Sequence, residues 1–423
     1  MRFRPHCSSL FFRELACYLF ALIPLFVVIV SRGGPLVFLL IFLCLMIADR
    51  ERLTVGSFVS GCRGMLSSTG GVIATLIILW CLASAAWSIR PVHSLAKWGE
   101  VVLLTICLTY DVYNLPEKLR PRHLLCLAAT IILACFFLIS EFNTDLALSR
   151  LMHSRTQPAM FNRSILILLF LSIPFFLNAR KGALLLPVSG RRKFYLLVAV
   201  LTLGLGLVGC FTEGDASLLA AAVAVCALLL VVSAPRFASV CMILTVSVVI
   251  VLAPISGMIT DRVFTNATYE ALERAHAKER VDIWKVFGSV IYLRPLAGAG
   301  FNSSRFALAD QKVRSLHFSP AERRAFQSIH PHNGALQIWY ELGCIGAVLT
   351  LALCINTILR ISKLSASSYR QYYVYFATVF AVSVIAHGIW QSWWLAAIAS
   401  GIVVLRAFAV LENGLGESST SSQ

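Results

Sequence analysis

Charge is scarce in this sequence. Asp, Glu, Lys and Arg make up only 13% of its 423 residues, and acids are the scarcer sign, 20 against 36 basic residues. A soluble globular domain carries about 25% charged residues, so the chain lacks the polar surface that would keep one or two folded domains in water. A water-soluble enzyme is excluded. Cysteine is present, 13 residues, but no CxxC or Cys/His ligand spacing occurs, and none falls between 242 and 343, the longest polar stretch. That excludes a disulfide framework or thiolate metal site there. A P-loop, a GxSxG elbow, a DxD pair, a zinc motif and an internal repeat are missing too. The expected metal and cofactor content is therefore none.

What the chain has is apolar length: 58% hydrophobic residues and a mean hydropathy of +0.81. A bilayer core about 30 Å thick needs about 20 apolar helical residues. On that measure twelve spans are expected, near 15–30, 35–48, 71–89, 94–110, 122–140, 164–178, 195–211, 216–233, 237–254, 336–359, 371–390 and 392–411, the second and sixth being short. The first is read as uncleaved, because another apolar run follows at once with no small-residue cleavage site between them. The expected fold class is thus an all-α polytopic membrane protein of about twelve transmembrane helices, with a large helical loop before the tenth span. Its parts are 1–254 (spans one to nine), 255–335 (the loop), 336–411 (spans ten to twelve) and 412–423, a polar tail expected to be disordered.

Orientation follows from Lys and Arg in the short loops. With the N-terminus in the cytoplasm, the cytoplasmic side holds nineteen of them and the other side six; the remaining eleven lie in 255–335. Both termini are therefore expected in the cytoplasm and the long loop outside. Most of the positive charge is then topogenic, with no call for nucleic acid.

The loop is expected to be ordered. Tyr269, Leu272, Ala275, Ile283, Trp284, Phe287 and Ile291 recur at three and four over 268–292, the spacing of an amphipathic surface helix. Arg294-Pro295 and Gly298-Ala299-Gly300 end it in a turn. Ser319-Pro320-Ala321-Glu322 reads as a capping box opening a second short helix. Asn333 can cap the tenth span.

His332 stands just before that cap, at the positive end of a long helix, which disfavours the imidazolium and also attracts phosphate. A neutral base beside an anion site suits transfer from a phosphate-linked donor to a hydroxyl; the plainer reading is a histidine marking the water–lipid boundary. Arg280, four residues before Trp284, and Arg163, directly before the sixth span, could each present a planar fork to a membrane-embedded pyrophosphate, or could simply snorkel to the headgroups. Glu100, Glu141 and Glu341 border spans where water could reach them, and His387 lies deep in one.

The stretch from His330-Pro331-His332-Asn333 through Leu336-Gln337 and Glu341-Leu342-Gly343 to Gly346 resembles the "HxHN..LQ...ELG..G" signature of the O-antigen ligase and polymerase superfamily of bacterial inner membranes. Upstream, Arg280-Val281-Asp282-Ile283-Trp284 with Pro295 and Gly298-Ala299-Gly300 resembles its "R..xW... P..G.G" element. The two motifs cover about 60 residues. The resemblance implies a metal-independent, membrane-embedded glycosyltransferase that moves a glycan from an undecaprenyl-pyrophosphate carrier to an acceptor hydroxyl, a lipid A-core sugar in the ligases, at the periplasmic face. His332 would be the catalytic base and Arg280 a pyrophosphate ligand. Many ligases carry a Ser-Arg pair between the seventh and eighth spans; this chain has Thr212-Glu213-Gly214-Asp215-Ala216-Ser217 there, so Arg163 or Arg262 would have to supply the second arginine. A polymerase of the same superfamily shares the donor chemistry. A twelve-span transporter is the alternative from another class, but it calls for repeats or matching broken spans, and neither is seen.

Overall fold

A computed structural model describes residues 5–51, 63–64, 66–151, 158–184, 188–211, 215–263, 265, 268, 270, 278–328 and 330–420. Its principal helices in chain order are α1 (Pro5–Ala21), α2 (Ile23–Ile29), α3 (Gly34–Ala48), α4 (Thr69–Ser84), α5 (Pro91–Asn114), α6 (Pro121–Asn143), α7 (Asn162–Leu177), α8 (Val188–Phe211), α9 (Asp215–Ser233), α10 (Pro235–Leu252), α11 (Ser256–Val263), α12 (Lys278–Val290), α13 (Pro320–Ala325), α14 (Gly334–Ile361), α15 (Ala366–Ile385) and α16 (Ser392–Thr420). No strand occurs among the described residues. Proline opens α3, α6, α10 and α13 within their first two positions, where its missing N–H costs nothing.

Among the described residues, eight helices are long and apolar enough to cross a membrane, and a ninth if α1 and α2 count as one span bent by 52°. The bend falls at Leu22, with Pro24 just beyond it. Of the other expected spans, 35–48 and 164–178 are helices of 15 and 16 residues. The span expected at 371–390 is cut short: α15 stops at Ile385, and Ala386 to Gln391 are non-helical. A hydropathy window reads Ala386, Ile389 and Trp390 as apolar and cannot see that their backbone leaves the helix. The candidate span beginning at Pro235 runs to Ile259. At the other end α16 extends to Thr420, against the expected disordered tail; that tail contains no proline to stop a helix already propagating. Of the amphipathic helix expected over 268–292, α12 is the described part; Tyr269, Leu272 and Ala275 lie outside the described residues, as do Thr212, Glu213 and Gly214.

The chain divides into two units. The first comprises Met1–Ser57, Leu103–Val225 and Ser392–Gln423. Within it α1 packs on α3 and α6, α6 on α8, and α7 on α16. Hydroxyls tie its helices together, Thr130 donating to the Ala21 carbonyl (2.6 Å) and Ser164 to that of Val27 (2.7 Å), as polar groups do in membrane bundles. Asp49 pairs with Arg13 and Lys118, each at 3.0 Å, and Glu14 with Arg122 (2.6 Å) and His123 (3.0 Å). Asp111 is fully buried, and neither carboxylate oxygen has a partner among the described residues.

The second unit comprises Phe58–Val102 and Cys226–Gln391. Here α14 is the axis, packed by α4, α10, α12 and α15. Long-armed donors reach carbonyls between helices: Trp339 to Ile250 (2.7 Å), Tyr369 to Pro235 (3.0 Å) and Tyr373 to Ala238 (2.9 Å).

Candidate active site

The site is built on one break in α14. Gly343 has φ 67° and ψ −163°, so the helix loses its ladder there. A β-carbon would not be tolerated, since it would sit 2.3 Å from the Leu296 carbonyl oxygen. The groups released by the break are all re-paired, as buried backbone must be. Cys344 N–H, which would have bonded to Tyr340, donates to Pro295 (2.8 Å), and Ile345 N–H donates to Leu296 (3.3 Å). The carbonyls of Tyr340 and Glu341 accept from Ala299 (2.7 Å) and Gly300 (2.9 Å), and that of Leu342 from the Trp80 indole (3.0 Å). Gly298, at φ 69°, approaches so closely that a β-carbon would lie 2.4 Å from the Glu341 carbonyl. The two glycine-bearing motifs are thus the two faces of one backbone joint.

Glu341 secures the joint. It is fully buried, and its carboxylate accepts from Asn302 N–H (2.8 Å), Ser304 N–H (3.3 Å), Ser304 hydroxyl (2.5 Å), the Gln337 amide (3.1 Å) and the Trp390 indole (2.7 Å). The expectation of a solvated Glu341 is therefore corrected: buried charge survives only when every lone pair is met. Glu141, in the first unit, is also buried, accepting from Leu148 and Ser149 N–H; Glu100 is exposed and pairs with Lys97 (2.8 Å).

His332 precedes the cap as expected: Asn333 Oδ1 accepts from Leu336 N–H at 3.1 Å. The capping box at Ser319 and Glu322 also forms. Two features of His332 were not legible. Its φ is +52°, a left-handed conformation that costs a side-chain-bearing residue about 1–2 kcal/mol. And its ring is oriented: Nδ1 lies 2.9 Å from the carbonyl oxygen of Ala386, the residue at which α15 ends. A carbonyl can only accept, so Nδ1 donates, and the neutral ring carries its lone pair on Nε2. Ile389 N–H in the same segment donates to Gln337 Oε1 (3.0 Å), so 386–390 holds His332, Gln337 and Glu341 together. The sequence signal was Gly388 beside His387 inside an apolar run, and the spacing of Gln337 and Glu341 by one helical turn.

Arg280 lies in the first turn of α12, half-buried, and its guanidinium has no hydrogen-bond or ion-pair partner among the described residues. Helix α12 packs on α14 through Phe287 against Tyr340, ring centroids 5.1 Å apart. Asp282, two residues further along α12, is pushed up from the usual carboxylate range by burial, with Lys285 and Lys278 opposing. Arg262 is exposed on α11, which packs on α12. The second unit therefore carries His332 directly before the cap of α14, Arg280 on α12 and Arg262 on α11, three successively packed helices. Arg163 belongs to the first unit, half-buried with its guanidinium 5.7 Å from the centre of the Trp393 ring, a cation–π distance.

An all-helical chain with many membrane-length helices and a histidine oriented at a helix start defines a membrane-embedded protein with a built polar site. Residues 197–351, which contain both glycine-bearing segments of that joint, match the family model described as O-Antigen ligase. A protein of Rickettsia felis named "Putative polysaccharide ligase" is 28% identical over 335 residues, covering 78% of this chain and 77% of its own. One of the same name from Rickettsia prowazekii is 26% identical over 342 residues, covering 78% of each chain. A shorter match of 34% over 136 residues, 30% of this chain and 31% of the relative, is to a Rickettsia bellii protein so named. No solved structure matches. The family match over residues 197–351 and these similarly named relatives support the O-antigen ligase superfamily.

Proposed function

We propose that this protein is a polysaccharide ligase of the bacterial inner membrane, taking a glycan from an undecaprenyl-pyrophosphate carrier and joining it to an acceptor hydroxyl, a lipid A-core sugar, at the periplasmic face. In this reading the acceptor oxygen forms a bond to the sugar's anomeric carbon as the bond to the carrier phosphate breaks. His332 Nε2 takes the hydroxyl proton, and the pyrophosphate leaves on its carrier. Arg280, with Arg262 of the same unit as the second arginine, neutralises the pyrophosphate through bidentate contacts, so transfer proceeds without a metal. The topology that goes with it has both termini in the cytoplasm, about twelve spans and the 255–335 loop outside.

The observation that carries the reading is the bond from His332 Nδ1 to the Ala386 carbonyl, which presents Nε2 as the acceptor of a proton. The names of the relatives favour ligation over polymerisation. In a deletion strain complemented with His332→Ala, expressed at the parental level in membranes, transfer should fall about 10²- to 10⁴-fold, the scale of a positioned base, with carrier-linked glycan accumulating. Parental decoration of lipid A-core by that variant would defeat the proposal, and single-repeat products in the deletion strain would point to a polymerase instead.

A further inference from the structure

A left-handed, side-chain-bearing residue at the catalytic position must be held there by something, and the holder is visible. His332 N–H donates to His330 Nδ1 at 3.2 Å, the two rings stand 4.2 Å apart between centroids, and His330 is buried, with the backbone of Gly388 against its ring. Ser328 fixes the next link by donating to the His330 carbonyl (2.7 Å). Because a backbone N–H can only donate, His330 Nδ1 must carry a lone pair, and the neutral ring's proton sits on Nε2. The two histidines therefore have opposite tautomers: Nδ1 accepts in His330 and donates in His332.

We infer that His330 is a positioning residue, which holds His332 in its left-handed backbone conformation by accepting its N–H and so aims the base. The inference rests on the proposed role of His332 as base. His332 is fixed at its main chain by the His330 ring and at its own ring by the Ala386 carbonyl, and no rotation keeps both bonds. Loss of the backbone tether lets residue 332 relax toward negative φ, swinging the ring off the Ala386 carbonyl. Displacements of about 1 Å at a reacting group cost as much as 10²-fold in rate.

The test uses the purified full chain in detergent with carrier-linked glycan extracted from the deletion strain. Asn places its amide oxygen close to where His presents Nδ1, so His330→Asn should retain most of the turnover, within about threefold. His330→Leu keeps bulk but offers no acceptor, and should lower kcat about 10- to 100-fold while leaving KM for the donor within about twofold. Equal activity of the Asn and Leu variants, or a loss appearing only in KM, would overturn the inference. If His332→Ala itself stays active, the base reading falls instead, so the two failures are distinguishable. A second measurement does not depend on turnover. Glycine accepts positive φ freely whereas alanine does not, so His330→Leu should lower the Tm markedly in a His332→Ala background and much less in His332→Gly. Equal shifts in the two backgrounds would also overturn it, and the pair still reports if His330→Leu alone folds poorly.

Discussion

Two acid sites, one in each unit, are held in opposite ways. In the first, Asp49 and Glu14 are met by cations, Arg13 and Lys118 for one and Arg122 and His123 for the other. In the second, Glu341 is met by main-chain N–H, a hydroxyl, an amide and an indole, with no cation among its partners. A carboxylate held by neutral donors stays in place without drawing in a guanidinium; in the same unit Arg294 pairs with Asp310 (3.2 Å), whereas Arg280 has no ion-pair partner among the described residues. Ion pairs fasten helices; neutral donors fasten a site and leave its arginines available to an anion.

Removing Glu341 should give the largest effect on stability. Glu341→Ala leaves five donors buried and unmet, and should destabilise the second unit by about 3–5 kcal/mol, the scale for breaking a buried charge network. It should be read as loss of membrane yield and of cooperative thermal unfolding. Glu341→Gln keeps one acceptor oxygen and should cost less; equal losses for the two would mean that bulk, not hydrogen bonding, closes the joint. Breaking the cationic arrangement should cost less still. Asp49→Asn removes one charge from a site that is nearly buried while Arg13 and Lys118 remain partly solvated, so about 1–2 kcal/mol is expected in thermal unfolding. A loss as large as that for Glu341→Ala would erase the contrast between the two sites. The smallest change belongs to the surface pair Lys97–Glu100, where Lys97→Ala should shift stability by no more than about 0.5 kcal/mol and less in high salt.

Local chemistry was legible in the sequence, and long-range chemistry was not. The cap at Asn333 and the box at Ser319–Glu322 depend on residues three apart, so their types alone announce them. The polar groups that close the site come from 302–304, 337–341 and 386–390, whose meeting depends on tertiary packing. Glu341 therefore read as a span-end acid, and 386–390 as the interior of a span. Asp111 was missed for a different reason: it lies one residue past the expected end of an apolar run, where a carboxylate ordinarily meets water, yet α5 carries it into a fully buried position. The glycines of both motifs were recognised as a pattern, but only the structure gives their reason, two backbones too close for a β-carbon.

Because the ring of His332 takes its bearing from the carbonyl of Ala386, the residue that directly follows α15, the length of that helix is itself a functional quantity. One residue inserted between 366 and 385 would turn Ala386 by about 100° and advance it by about 1.5 Å, pointing the carbonyl away from the imidazole although no residue of the site had been altered. The phase of a helix that carries no reacting group thereby sets the direction in which the base faces.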